Sequence, residues 1–163
     1  LLHLSVEHQQ GIHLLVEHGV IGSAFALIRP QFEAYVRGVW FHRSATDEQI
    51  SAFIAGKEPP RIGKLIEAVE KLEGFEERAV SRLKKEIWPN LNDFTHGGTI
   101  QVKARNSKDE IISNYKHEHI AGLLQSAATI SLLSGVAMAG AVENTELANN
   151  LLSLYRRVYE GAP

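Results

Sequence analysis

Arg29, Glu33 and Arg37 stand four residues apart in the stretch RPQFEAYVRGVW, and Asn92, Asp93 and His96 follow further along in LNDFTHGG. These residue types can do chemistry. Guanidinium groups stabilise anions and developing negative charge, and a carboxylate beside an imidazole fixes its tautomer and raises its basicity. An imidazole held in that way can act as a general base. If the two stretches meet in the fold, they make an anion site with His96 as base and Arg29 or Arg37 on the transition-state charge. Glu33, Asp93, Asn92, His8 and Trp40 would complete the polar cluster.

Successive residues of an α-helix turn by about 100°, so positions four apart advance by only about 40°. Arg29, Glu33 and Arg37 therefore form one narrow stripe. Ala26 and Trp40 fall within it, Pro30 and Phe41 lie on one flank, and Phe25, Phe32 and Val36 lie on the other. Gln31, Tyr35 and His42 lie roughly opposite. The arc around the ladder is apolar, so the ladder is expected to face the core. Charges there have to be paired and hydrogen-bonded, because an isolated buried ion is costly even after relaxation. Glu33 can serve both arginines at the four-residue spacing, which leaves one positive charge for Asp93, with Glu7 and Glu17 as further candidates. The plainer alternative is that Pro30 turns the second half of the helix outwards, leaving a surface salt bridge worth about 0–1 kcal/mol. For Asp93 and His96 the plainer alternative is a helix end closed by Gly97-Gly98.

Together, SAFALIRPQFEAYVRGVW and LNDFTHGG resemble uncharacterised bacterial all-helical families described only as domains of unknown function. The resemblance covers most of the chain and is carried by Arg29, Glu33, Arg37, Trp40, Asp93, His96 and Gly97. More distantly, a histidine and glycine closing a helix resembles the end of the HEPN motif. There an arginine and a histidine form a metal-independent ribonuclease site on a helical bundle common in toxins and phage-defence systems. Positions 90 to 92 here are Asn, Leu and Asn, so that resemblance implies an arginine supplied from another helix, by Arg29 or Arg37.

The eight histidines raise the question of a metal. His8 follows Leu4 and precedes Ile12 and Leu15, which turns it inwards, and Glu33 with His96 would make a three-residue chelate. Helical bundles usually bind metal through paired Glu-x-x-His elements, and Glu7-His8, Glu17-His18 and His117-Glu-His119 have a different spacing. A satisfied core histidine is the better reading of His8, so no metal and no cofactor is assigned. Neither a phosphate-binding glycine loop, nor a dinucleotide fingerprint, nor a G-x-S-x-G elbow is present.

The elements that must position these groups are helices. Period-3.6 patterns dominate and no period-2 run appears, which predicts an all-α protein, a single helical bundle of about six to seven helices spanning 1–163. Helices are expected from Leu1 to His18 and from Ser23 to Arg43, the latter kinked at Pro30 unless that residue lies in a first turn. A short helix opens at the capping box Thr46-Asp-Glu-Gln49 and ends at Gly56. Arg61 to Leu72 reads as a surface helix, with Ile62, Leu65, Ile66 and Val69 inside and Lys64, Glu67, Glu70 and Lys71 in solvent. A fifth helix runs from Glu76 through Trp88 towards His96 and is interrupted or kinked at Pro89. Thr99 to Asn114 reads as a loop with a short extended piece, Tyr115 to Ala141 as a long helix, and Asn144-Thr145 as the cap of a last one reaching Tyr159. The segment Ala121 to Val142 is long enough to span a bilayer, but its many Ala, Ser, Gly and Thr residues favour a central bundle helix.

A net charge of −2 gives no broad basic field of the kind that binds duplex DNA, and zero cysteines rule out disulfides and thiolate metal sites. A cytoplasmic protein is expected, without a membrane partner. Leu1 begins inside a helical pattern, so an upstream segment is expected as well. Two functions remain. The favoured one is a non-catalytic binding or interaction module, self-associating as a homodimer, whose polar cluster fixes helix register. The alternative is an HEPN-like ribonuclease acting on RNA through an anion site.

Overall fold

Each long periodic segment forms a helix in the computed structural model, which describes residues 1–75 and 77–161; within the fifth helix, the side chains at 86, 88–93, 95 and 96 lie outside the described part. The described residues form eight helices and no strand, one all-α body. They are α1 (Leu2–Glu17), α2 (Ile21–Arg43), α3 (Asp47–Ile54), α4 (Ile62–Val69), α5 (Ala79–His96), α6 (Thr99–Lys103), α7 (His117–Ala141) and α8 (Thr145–Tyr159).

The local signals explain where these helices begin. Thr46 Oγ1 accepts from Gln49 N and Gln49 Oε1 accepts from Thr46 N, the reciprocal pair that its spacing predicts. Asn144 Oδ1 accepts from Leu147 N at 2.9 Å and opens α8. Gly97, at φ 68°, ends α5 in a left-handed conformation that a side chain would strain.

Three expectations are corrected. Pro89 does not interrupt α5, which is one helix from Ala79 to His96. The segment from Thr99 to Asn114 contains the short helix α6, and its extended part reduces to one bridge between Asn106 and Ile111. Glu70, placed in solvent by its position on α4, has a side chain only 6% exposed. Its carboxylate accepts from both the backbone N–H and the hydroxyl of Ser81 at 2.7 Å, and so caps the start of α5. Ser81 lies eleven residues on, beyond a turn, so no local pattern announces the contact.

α2 is the axis of the fold. It packs against α1, α4, α5 and α7, and most of its length is enclosed. Ile28, Phe32, Val36 and Val39 join Ile12 of α1, Leu65 and Val69 of α4, Val80 of α5 and Ile130 of α7 in one core. Full burial of one such side chain stabilises by about 1.5–3 kcal/mol. Gly38 lets α1 come close, because a Cβ there would lie 2.7 Å from Leu2 Cγ and 3.1 Å from its backbone N. α7 is long and apolar enough to cross a bilayer, and in this fold it packs against α1, α2 and α8.

The course of α5 relative to α2 follows from contacts at both ends. At the C-terminal end of α2, Arg43 Nη1 donates to the carbonyl of Glu73 at 3.3 Å, and its guanidinium lies 5.9 Å from the Phe75 ring, just before α5 begins. Near the N-terminal end of α2, Phe25 stacks on Phe94 of α5 with ring centroids 4.3 Å apart. α5 therefore runs antiparallel along α2.

Candidate functional site

The helical spacing of Arg29, Glu33 and Arg37 produces the pairing expected of it. Arg29 Nε donates to Glu33 Oε1 at 2.9 Å, and Arg37 Nη2 lies 3.7 Å from Glu33 Oε2. Their burial corrects the expectation. The side chains are 25%, 22% and 34% exposed, so the described residues hold no buried charged cluster. Arg37 Nε is closed to solvent without a hydrogen-bond partner among the described residues, while the rest of the ladder remains half open.

The reason lies in what surrounds α2. The opposite arc is enclosed too over most of its length: Gln31 is 0% exposed and Tyr35 2%, and only His42 near the helix end is open. α7 covers this side, and Gln31 Nε2 donates to the carbonyl of Ala127 at 2.8 Å. A helix packed on four sides leaves little solvated arc, so the charged side chains stay partly exposed and paired, and the amide goes where a carbonyl meets it.

The other expected site residues divide into two groups. Trp40 is 5% exposed, meets Phe41 edge to face at 4.8 Å and belongs to the apolar core. His8 on α1 is partly buried, and desolvation lowers its pKa against the opposing pull of Glu7. No three of the described His, Asp and Glu residues gather as a metal-binding group. The side chains of Asn92, Asp93 and His96 lie outside the described residues, so their meeting with the ladder is not described; their helix runs alongside α2.

The sequence reading missed a cavity. A space of about 530 Å³ opens between the C-terminal half of α2, the turn at 73–75 and α7. Val39, Leu133, Val136 and Ala137 supply apolar walls, and Tyr35, His42, Arg43 and Glu73 supply polar groups. Burial pushes the Tyr35 phenol up to about 12, so its hydroxyl stays protonated and can donate at neutral pH. Arg43 spends one N–H on the Glu73 carbonyl and lies against Phe75, and its other guanidinium donors have no partner among the described residues. Tyr35, His42 and Arg43 recur at helical spacing on α2, one visible trace of the site in the sequence. The apolar walls on α7 lie about a hundred residues away and give no such trace.

A smaller space of about 300 Å³ adjoins the start of α2 and is lined by Gly22, Arg105 and Tyr115 among others. Tyr115 stacks on Phe25 at 5.4 Å, and its hydroxyl is buried without a partner among the described residues.

Comparison with curated proteins returns no match, and comparison with solved structures returns none either. A family model does match, over residues 2–161. With nearly the whole chain covered, the protein belongs to DUF6988, a family of unknown function.

Proposed function

We propose that the chain is a non-catalytic binding module whose ligand occupies the cavity between α2, α7 and the turn at 73–75. The observation that carries this reading is the pairing of apolar walls with the polar residues Tyr35, His42, Arg43 and Glu73 around a space of about 530 Å³. Small-molecule sites have this character, mostly apolar with a few placed polar groups, and fall at about 300–1,000 Å³. The chemistry favours a guest with an apolar or aromatic body and an anionic or acceptor group directed at Arg43 and Tyr35. In this reading Arg29, Glu33 and Arg37 hold α2 in register and take no part in a reaction. Residence in the cytoplasm belongs to the same proposal.

The probe for a first test is anilinonaphthalene sulfonate, an aromatic anion whose fluorescence rises in apolar surroundings. Saturable binding at about one probe per chain is expected. Gly140 borders the cavity and a Cβ there meets nothing within 4 Å, so Gly140→Trp adds a large side chain at its edge without a clash at Cβ. That variant should lose the signal, and Tyr35→Phe should weaken it. Undiminished binding in Gly140→Trp contradicts the assignment.

A second reading, the HEPN-like ribonuclease acting on RNA, is favoured by one observation. α5, which ends at His96, runs antiparallel along the helix that carries Arg29 and Arg37. It predicts RNA cleavage by the wild-type chain and its loss in His96→Ala. Absence of cleavage by the wild type removes it.

A further inference from the structure

α8 carries an apolar stripe that the rest of the chain leaves open. Leu147, Leu151, Leu154 and Val158 recur at alternating intervals of four and three residues, the spacing of a seam between paired helices. Leu151 turns towards α7, where its Cδ1 would lie 3.1 Å from a Cβ on Gly135. Leu147, Leu154 and Val158 remain 44%, 48% and 62% exposed, and no residue of α8 is buried. The helix packs chiefly on α7.

Charge decides what covers the stripe. At about 100° per residue, Glu146 and Arg157 fall on the same flank of it, one at each end of α8. Both are exposed, and neither has an ion-pair partner among the described residues. Laid antiparallel, two such helices bring each glutamate opposite the other's arginine, whereas a parallel pair would set the two copies of this flank on opposite sides of the seam and form neither contact.

We propose that α8 pairs antiparallel with α8 of a second copy of this chain about a two-fold axis. Such an axis makes the patch self-complementary, with both charge pairs formed at once. The register that joins Glu146 to Arg157 also brings Leu147 of each copy into the gap between Leu154 and Val158 of the other.

Sedimentation velocity of the 163-residue chain tests this, with the expected particle at twice the 18.1 kDa chain mass. Leu154→Glu combined with Val158→Glu should give a monomer with an unchanged helical circular dichroism spectrum. Glu146→Arg and Arg157→Glu should each weaken self-association about tenfold, and the two together should restore it to within about threefold. The swap uses exposed side chains, so it reads pairing even if the apolar variant unfolds. A monomer at every concentration, a dimer indifferent to the two introduced glutamates, or a double swap no better than either single change overturns the proposal.

Discussion

Gln31 Nε2 donates to the carbonyl of Ala127 at 2.8 Å, across 96 residues of sequence and out of contact with solvent. The amide ties the central helix to α7, yet its Oε1 is buried without a partner among the described residues. Replacing a half-satisfied amide by an apolar group of similar volume costs little, whereas truncating it leaves a void. Gln31→Met should therefore change unfolding free energy by less than about 1 kcal/mol, and Gln31→Ala should destabilise by about 2–3 kcal/mol. Urea titration of both variants checks this.

The ladder gives an asymmetric expectation. Glu33 holds Arg29 at 2.9 Å but reaches Arg37 only at 3.7 Å, and Arg37 Nε is a buried donor without a partner among the described residues. Glu33→Gln weakens both contacts and should cost about 1 kcal/mol, while Arg37→Met gives up, among the described residues, only the 3.7 Å contact and should fall within about 0.5 kcal/mol of the wild type. Thermal unfolding in low and high salt separates them, since only the Glu33 effect should shrink with screening.

Glu70 is a third case. Its carboxylate accepts two hydrogen bonds from Ser81 at the start of α5. Loss of such a cap typically costs about 0.5–2 kcal/mol. Glu70→Ala should destabilise by that amount, Ser81→Ala by less, and the double variant by less than the sum. A double-mutant cycle measures the coupling.

His8 makes stability depend on pH. Its pKa is lowered from 6.5 in the folded protein by desolvation, so the fold favours the neutral imidazole. Stability from this group is present above the unfolded value and is lost as pH falls through 6.5 towards the folded value. His8→Gln should lose less stability between about pH 8 and about pH 5 than the wild type does. The difference between the two profiles isolates His8 from the other histidines.

Local rules made the helices legible: the capping box at Thr46, the cap at Asn144, the stop at Gly97 and the apolar face of α4 all follow from short-range spacing. So did the pairing of Arg29 and Arg37 with Glu33. Environment was not legible. Gln31 and Tyr35 look like a polar arc until α7, distant in sequence, closes over them, and Glu70 looks solvated until Ser81 arrives from the next helix. The cavity escaped for the same reason, because its walls are drawn from α2, a turn and α7. Burial is set by which helices meet, and helical periodicity carries no record of that.

The most direct test of a binding site between α2 and α7 is backbone amide NMR of the chain titrated with anilinonaphthalene sulfonate. The account predicts progressive shifts at Val39, His42, Arg43, Phe75, Ala137 and Gly140, all of which line the cavity. Shifts confined to α8 with these amides unmoved would contradict it.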